Sequence, residues 1–168
     1  MIDVRAHLAR KPLLFDGGMG TYYKAKPGTE CEQGNLLDPA GVRKVHREYL
    51  AAGAEAIKTN TFGLPRMAAA RQPDWQALAR AGWKLAAEAA VETGAAVFAD
   101  LGPAPYTEAA PAGSIYTAVA RCFVEQGAKN FLFETLSSDA GVLEAVQAVK
   151  AQVPDAFVLV SFAVLPDG

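Results

Sequence analysis

Leu13-Leu14-Phe15-Asp16-Gly17-Gly18-Met19-Gly20-Thr21 is an apolar run that meets an acid and then a cluster of glycines. Such a run reads as a buried parallel strand, and the glycines as the tight turn that ends it. In α/β proteins ligands sit at the carboxyl ends of parallel strands. Asp16 therefore presents a carboxylate at a binding edge, where Gly17 and Gly18 let another group approach the backbone. The plainer reading is a turn aspartate that caps its own loop. The glycines lack the G-x-G-x-x-G spacing of a dinucleotide site, and Thr21-Tyr22-Tyr23 is not a clear helix start.

Outward from this stretch, short β-rich runs recur at Ala56–Thr61, Ala95–Ala99, Asn130–Phe133 and Phe157–Val164, separated by alanine-rich segments of helical periodicity. Together with Leu13–Phe15 they predict five strands in a βα repeat. A first helix is expected after the cap residue Asp38, with Pro39 at its first position, Val42, Val45, Tyr49 and Ala52 as its apolar stripe, and Gly53 as its stop. Further helices are expected from near Asp74 to Gly94, from Ser114 to Gly127 and from about Ser138 to Gln152. Lys24–Leu37 reads as a long loop after the first strand. Each helix is long enough for a right-handed crossover, so the sheet is parallel. Five such units form either a complete doubly wound sheet or part of an eight-stranded barrel, which usually needs about 250 residues. The length of 168 residues by itself favours the doubly wound sheet.

With 51% hydrophobic and 20% charged residues, the chain has material for one core and reads as one domain. A net charge of −2 without any basic run argues against nucleic acid as a partner. The opening residues are mixed and charged, and no apolar run approaches the roughly 20 residues that span a bilayer. A cytoplasmic protein without membrane contact is expected. Cys31 and Cys122 lie far apart and fit neither a disulfide framework nor a closely spaced metal pair. His7 and His46 have no partner at metal-ligand spacing and read as helix-surface or core-edge residues, and Cys122 reads as core.

Glu134 follows Phe131-Leu132-Phe133 and precedes Thr135, so it too stands where a strand gives way to a loop. Two acids on one rim bind an α-ammonium group tightly, because charge-assisted hydrogen bonds are about twice as strong as neutral ones. Taken alone, Glu134 would cap a helix or pair with a surface lysine. Asn60, in Thr59-Asn60-Thr61-Phe62-Gly63, either orients a ligand carboxylate or braces the neighbouring loop.

Taken together, Asp16-Gly17-Gly18-Met19-Gly20-Thr21, Thr59-Asn60-Thr61-Phe62 and Phe133-Glu134-Thr135 resemble the homocysteine S-methyltransferase family, and the resemblance runs nearly end to end. It implies a (β/α)8 TIM barrel, with residues 1–168 as the amino-terminal part holding strands one to five and ending in the loop at 165–168. It implies methionine synthesis, in which a zinc-bound homocysteine thiolate accepts a methyl group. Asp16 with the Gly17 and Gly18 backbone, and Glu134, would hold the amino-acid part of homocysteine on one rim with Asn60 between them. Asp100-Leu101-Gly102-Pro103 is similar to the family's third-strand turn, where Gly and Pro shape the loop. Lys58 departs from the pattern, standing where many members carry an acid or a small residue. Zinc is expected in the complete domain, held by three cysteines of the sixth and eighth strands. Those ligands are absent here, so this segment alone is expected to be inactive. The methyl donor (methylcobalamin, methyl-folate, betaine or S-methylmethionine) is not legible. The implied partners are homocysteine and, for the open side of a partial barrel, the carboxyl-terminal half or a second copy of the chain. Two rivals stand beside this reading: a non-catalytic half-barrel that binds or assembles, and a doubly wound domain that binds a phosphorylated ligand at Gly17–Gly20.

Overall fold

The computed structural model describes residues 2–105 and 111–164. Its helices are α1 (Val4–Leu8), α2 (Met19–Tyr22), α3 (Gly34–Leu37), α4 (Pro39–Ala51), α5 (Leu64–Ala69), α6 (Trp75–Ala90), α7 (Ala112–Val124) and α8 (Val142–Gln152), with a 3-10 turn at Cys31–Gln33. Four strands, β1 (Ala56–Lys58), β2 (Ala96–Leu101), β3 (Asn130–Leu136) and β4 (Phe157–Phe162), lie parallel and side by side in chain order. A doubly wound sheet reverses its strand order at a switch point and carries helices on both faces. Here the order never reverses, and α6, α7 and α8 contribute to one core on a single face. The sheet is an arc of the barrel type, and the doubly wound architecture falls.

Among the described residues four strands rather than five form the sheet, which corrects the expectation. Leu13–Phe15 contributes only an isolated parallel bridge, Phe15 to Ala56, and backbone bonds from Glu55 N and Ala56 N to Leu14 O and from Asp16 N to Ala56 O. Pro12 has no N–H to offer, Gly17 turns the chain away, and the neighbouring strand is three residues long, so pairing cannot extend. β1 stops at Lys58 because the next residues bond through side chains: Thr59 Oγ1 accepts from Asp100 N at 3.0 Å and Thr61 Oγ1 donates to Asp100 O at 2.8 Å.

Side chains alternate across the sheet with a period of two. Ile57, Val97, Ala99, Leu101, Phe131 and Phe133 face the helix layer. Ala56, Ala96, Phe98 and Leu132 face inward, covered by Val4 and partly by Phe15 and Phe157. Phe98 stacks against Phe15 at 4.8 Å and Phe157 at 6.2 Å between ring centroids.

The caps of α4 match their prediction, with the Asp38 side chain accepting from Gly41 N at 3.0 Å and Gly53 in the left-handed region, but its buried face is Val42, Val45, His46 and Leu50, and Ala52 is exposed. α7 starts slightly before Ser114, and α8 starts at Val142 rather than near Ser138. Gly141, φ +79°, sets that start: a Cβ there would lie 2.2 Å from Gly113 N, so only glycine lets α8 open against the first turn of α7. Lys24–Leu37 is not all loop. Its second half is helical and buries Glu32 and Asn35, because both side chains find backbone partners across the chain. Met19–Tyr22 likewise forms a single helical turn that the sequence did not announce. Among the described residues no helix is long and apolar enough to cross a membrane.

Candidate functional site

The carboxyl ends of the inward-facing rows enclose a cavity of about 230 Å³ whose wall includes Asp16, Gly17, Gly18, Asn60 and Glu134. The five residues singled out from the sequence therefore meet in one place. Lys58 and Asp100, which were not singled out as site residues, stand with them. The alternation explains why: Lys58 lies two residues beyond Ala56, Asp100 two beyond Phe98 and Glu134 two beyond Leu132, so each continues an inward row past its last apolar member.

Asp16 Oδ2 accepts from the Lys58 backbone N–H at 3.1 Å, while its Oδ1 is buried without a hydrogen-bond partner. Burial pushes the Asp16 carboxyl up to about 7. The Lys58 N–H bond and ammonium charge oppose that rise, and the Glu134 charge adds to it. Lys58 Nζ donates to Glu134 Oε1 at 2.7 Å. Burial works against the Lys58 ammonium, but the hydrogen bond and charge of Glu134 outweigh it and hold the amine charged above its ordinary range. Asp100 is buried, and burial, followed by the neighbouring Glu134 charge, raises its carboxyl well above the usual range. Glu134 lies within a break in the β3–β4 register, between Phe133 and Leu136, at which Thr135 adopts φ +58°, so the strand is irregular where the acid reaches the rim.

Gly17 packs closely against α4: a Cβ there would lie 2.6 Å from the Tyr49 hydroxyl. Asn60 has the geometry of a brace. Its Nδ2 donates to Cys31 O at 2.8 Å and to Asn35 Oδ1 at 3.0 Å, and its Oδ1 accepts from Cys31 Sγ at 3.1 Å. Asn35 Nδ2 in turn donates to Asn60 O at 2.8 Å and Leu78 O at 3.2 Å. Glu32 Oε1 accepts from Gly63 N at 2.6 Å. Three buried polar side chains thus tie the loop after Gly17 to the end of β1.

His46 is fully buried in α4, against the expectation of a surface or core-edge position, and neither ring nitrogen has a partner. His7 packs in α1 with Nε2 3.3 Å from both Pro12 O and Glu55 Oε2. Cys122 is buried in α7. Cys31 reaches the cavity wall, but burial, with the Glu32 charge, pushes its thiol up to about 11, leaving it protonated at neutral pH. The residues present do not fit a zinc site: the two cysteines sit on different elements, and among the described residues no group of three or more His, Cys, Asp or Glu is placed to hold a metal ion.

Fold and cavity define a βα-arc protein of the TIM-barrel type, with an acid-lined pocket at the carboxyl ends of its strands. The chain belongs to the homocysteine S-methyltransferase family, which it matches over residues 13–168. It is similar in structure to the homocysteine methyltransferase MmuM from Escherichia coli. Against the metallated form the TM-score is 0.72 at 20% identity, with 96% of this chain and 66% of that chain covered. Against the apo form the TM-score is 0.68 at 26% identity, covering 98% and 66%. Against the oxidized form it is 0.73 at 21% identity, covering 96% and 65%. The chain therefore spans just under two thirds of the length of the MmuM chain.

Proposed function

We propose that this chain binds the amino-acid end of homocysteine for transfer of a methyl group to the homocysteine sulfur. One observation carries the reading: Asp16 and Glu134, from segments far apart in sequence, face one cavity beside the Gly17–Gly18 backbone. An α-ammonium group between two carboxylates gains charge-assisted hydrogen bonds, strengthened by partial exclusion of water. The glycine turn leaves room beside the backbone for the α-carboxylate, and the Thr21 and Tyr49 hydroxyls, both donating to Gly18 O, hold that turn in place. Attack by the sulfur on the methyl carbon would form the S–C bond as the donor's bond to methyl breaks. The residues assigned here act at the opposite end of the substrate, as positioning groups. The three-cysteine zinc site implied for the whole domain finds no counterpart in Cys31 and Cys122, so no step is assigned to a metal on this chain.

Calorimetric titration with L-homocysteine tests the reading. Asp16→Asn and Glu134→Gln are each expected to weaken binding by about 10- to 100-fold, the worth of a charge-assisted hydrogen bond. Affinity unchanged in both variants, or no binding by the parent chain, would overturn it.

A further inference from the structure

Asp16 and Glu134 are not the only acids of this cavity. Asp100 stands between them in the sheet, is 3% exposed, and has an Oδ1 that meets no hydrogen-bond partner. A buried carboxyl oxygen without a partner is costly, and a native protein that keeps one calls for an account. The charged groups facing Asp100 are Glu134 from β3, Lys58 from β1 and Asp16 from the segment beside β1. On the same wall, the Glu32 carboxylate is bonded to Gly63 N and the Cys31 thiol is protonated.

Three carboxyl groups thus share one ammonium, that of Lys58, in a largely desolvated cavity. With every acid ionised the cluster would carry two uncompensated negative charges, which burial disfavours. Asp100 is the most buried of the acids, and burial, the Glu134 charge and a hydrogen bond with the Glu134 side chain all favour its protonated form. A second ammonium would remove the need for that proton: three carboxylates facing two ammonium groups carry the same net charge as two carboxylates and a neutral acid facing one. The exchange leaves the charge of the cluster unchanged, and it gives the orphaned Oδ1 a donor.

We propose that Asp100 is a third ligand for the ammonium group of the bound amino acid, which enters in exchange for the Asp100 proton. The inference rests on the amino-acid reading of the pocket and extends it. The Asp100 O–H bond breaks, the proton passes to solvent, and an ammonium N–H donates to the carboxylate. No covalent bond to the ligand forms and nothing is oxidised or reduced. Selectivity follows, because a neutral isostere of the amino acid cannot drive the proton out.

The test is calorimetric titration of the chain with L-methionine, whose side chain carries no titrating group, at about pH 8 in phosphate and in Tris. Asp16 is already ionised there, so the difference between buffers counts the Asp100 proton. Net proton release on methionine binding is expected from the parent chain. Asp100→Asn should bind about tenfold more weakly and release almost none. Equal release from both proteins, or binding by the parent chain without release, would overturn the exchange while leaving the amino-acid reading intact. Failure of the parent chain to bind methionine at all would overturn both. Should Asp100→Asn not fold, the parent chain still decides: its affinity must rise with pH above neutrality, and a flat profile rejects the proposal.

Discussion

At the scale of single residues, Asp16 sets binding against stability. The folded chain holds the Asp16 proton up to about 7, whereas an unfolded aspartate releases it near 4. Between those values the folded state binds more protons, so the contribution of Asp16 to stability falls as pH rises through the window. Asparagine does not titrate. Asp16→Asn should therefore match the parent chain near pH 4 and become more stable above pH 7, by on the order of a few kcal/mol, while binding amino acids more weakly. Urea unfolding of both proteins across this range checks it, and an unchanged difference between them would reject it. The comparison cancels His46, which burial lowers to about 4 and which makes the opposite demand, costing stability as pH falls below about 6.5. Asp16 and Glu134 were legible in the sequence because each ends an apolar run. Asp100 was read as part of a Gly-Pro turn and Lys58 as a departure from pattern, yet both lie two residues past an inward-facing apolar residue. Strand parity carried that signal. Only the strand boundaries, which the sequence left open, convert parity into direction.

At the scale of elements, the helices were legible from caps and periodicity, whereas the compact segment around Glu32 and Asn35 was not. Its order comes from buried polar side chains reaching backbone groups distant in sequence, and no local pattern announces such partners. Leu13–Phe15 shows the reverse: its composition suits a strand, but Pro12 before it and the Gly17 turn after it confine its pairing with β1 to a single bridge. Gly82 shows how closely the elements fit. A Cβ on this α6 residue would lie 2.7 Å from Asn35 Nδ2 and 2.7 Å from Thr61 Cγ2. Glycine inside a helix costs about 1 kcal/mol relative to alanine, so propensity alone favours replacement. Packing should win: Gly82→Ala is expected to destabilise the chain by about 1–3 kcal/mol by pushing α6 off the Asn35–Asn60 brace. Chemical denaturation measures this, and a more stable variant would show that the brace yields.

At the scale of the whole molecule, the sheet is covered unevenly. β1, β2 and most of β3 are buried, whereas exposure grows along β4, with Val160 at 39%, Phe162 at 52% and Val164, just beyond it, at 77%. Parallel strands normally have both faces covered, and an apolar strand at an open edge is a template for pairing. A second copy of the chain is the simplest cover, and closed two-fold dimers are the commonest arrangement. Sedimentation at micromolar concentration should show self-association through an apolar interface larger than about 2,000 Å². A stable, cooperatively folding monomer would reject it.

The Lys58–Glu134 pair also determines what this lysine is unable to do. Schiff-base formation, acylation and carbamylation all begin with a lone pair on nitrogen, and an amine held charged by a carboxylate 2.7 Å away seldom has one. Lys58 is therefore an inert cation set in the middle of a reactive-looking pocket, tolerant of aldehydes and active esters that would modify the exposed lysines first. A ligand that enters the cavity meets a charged group at Lys58 rather than a nucleophilic amine.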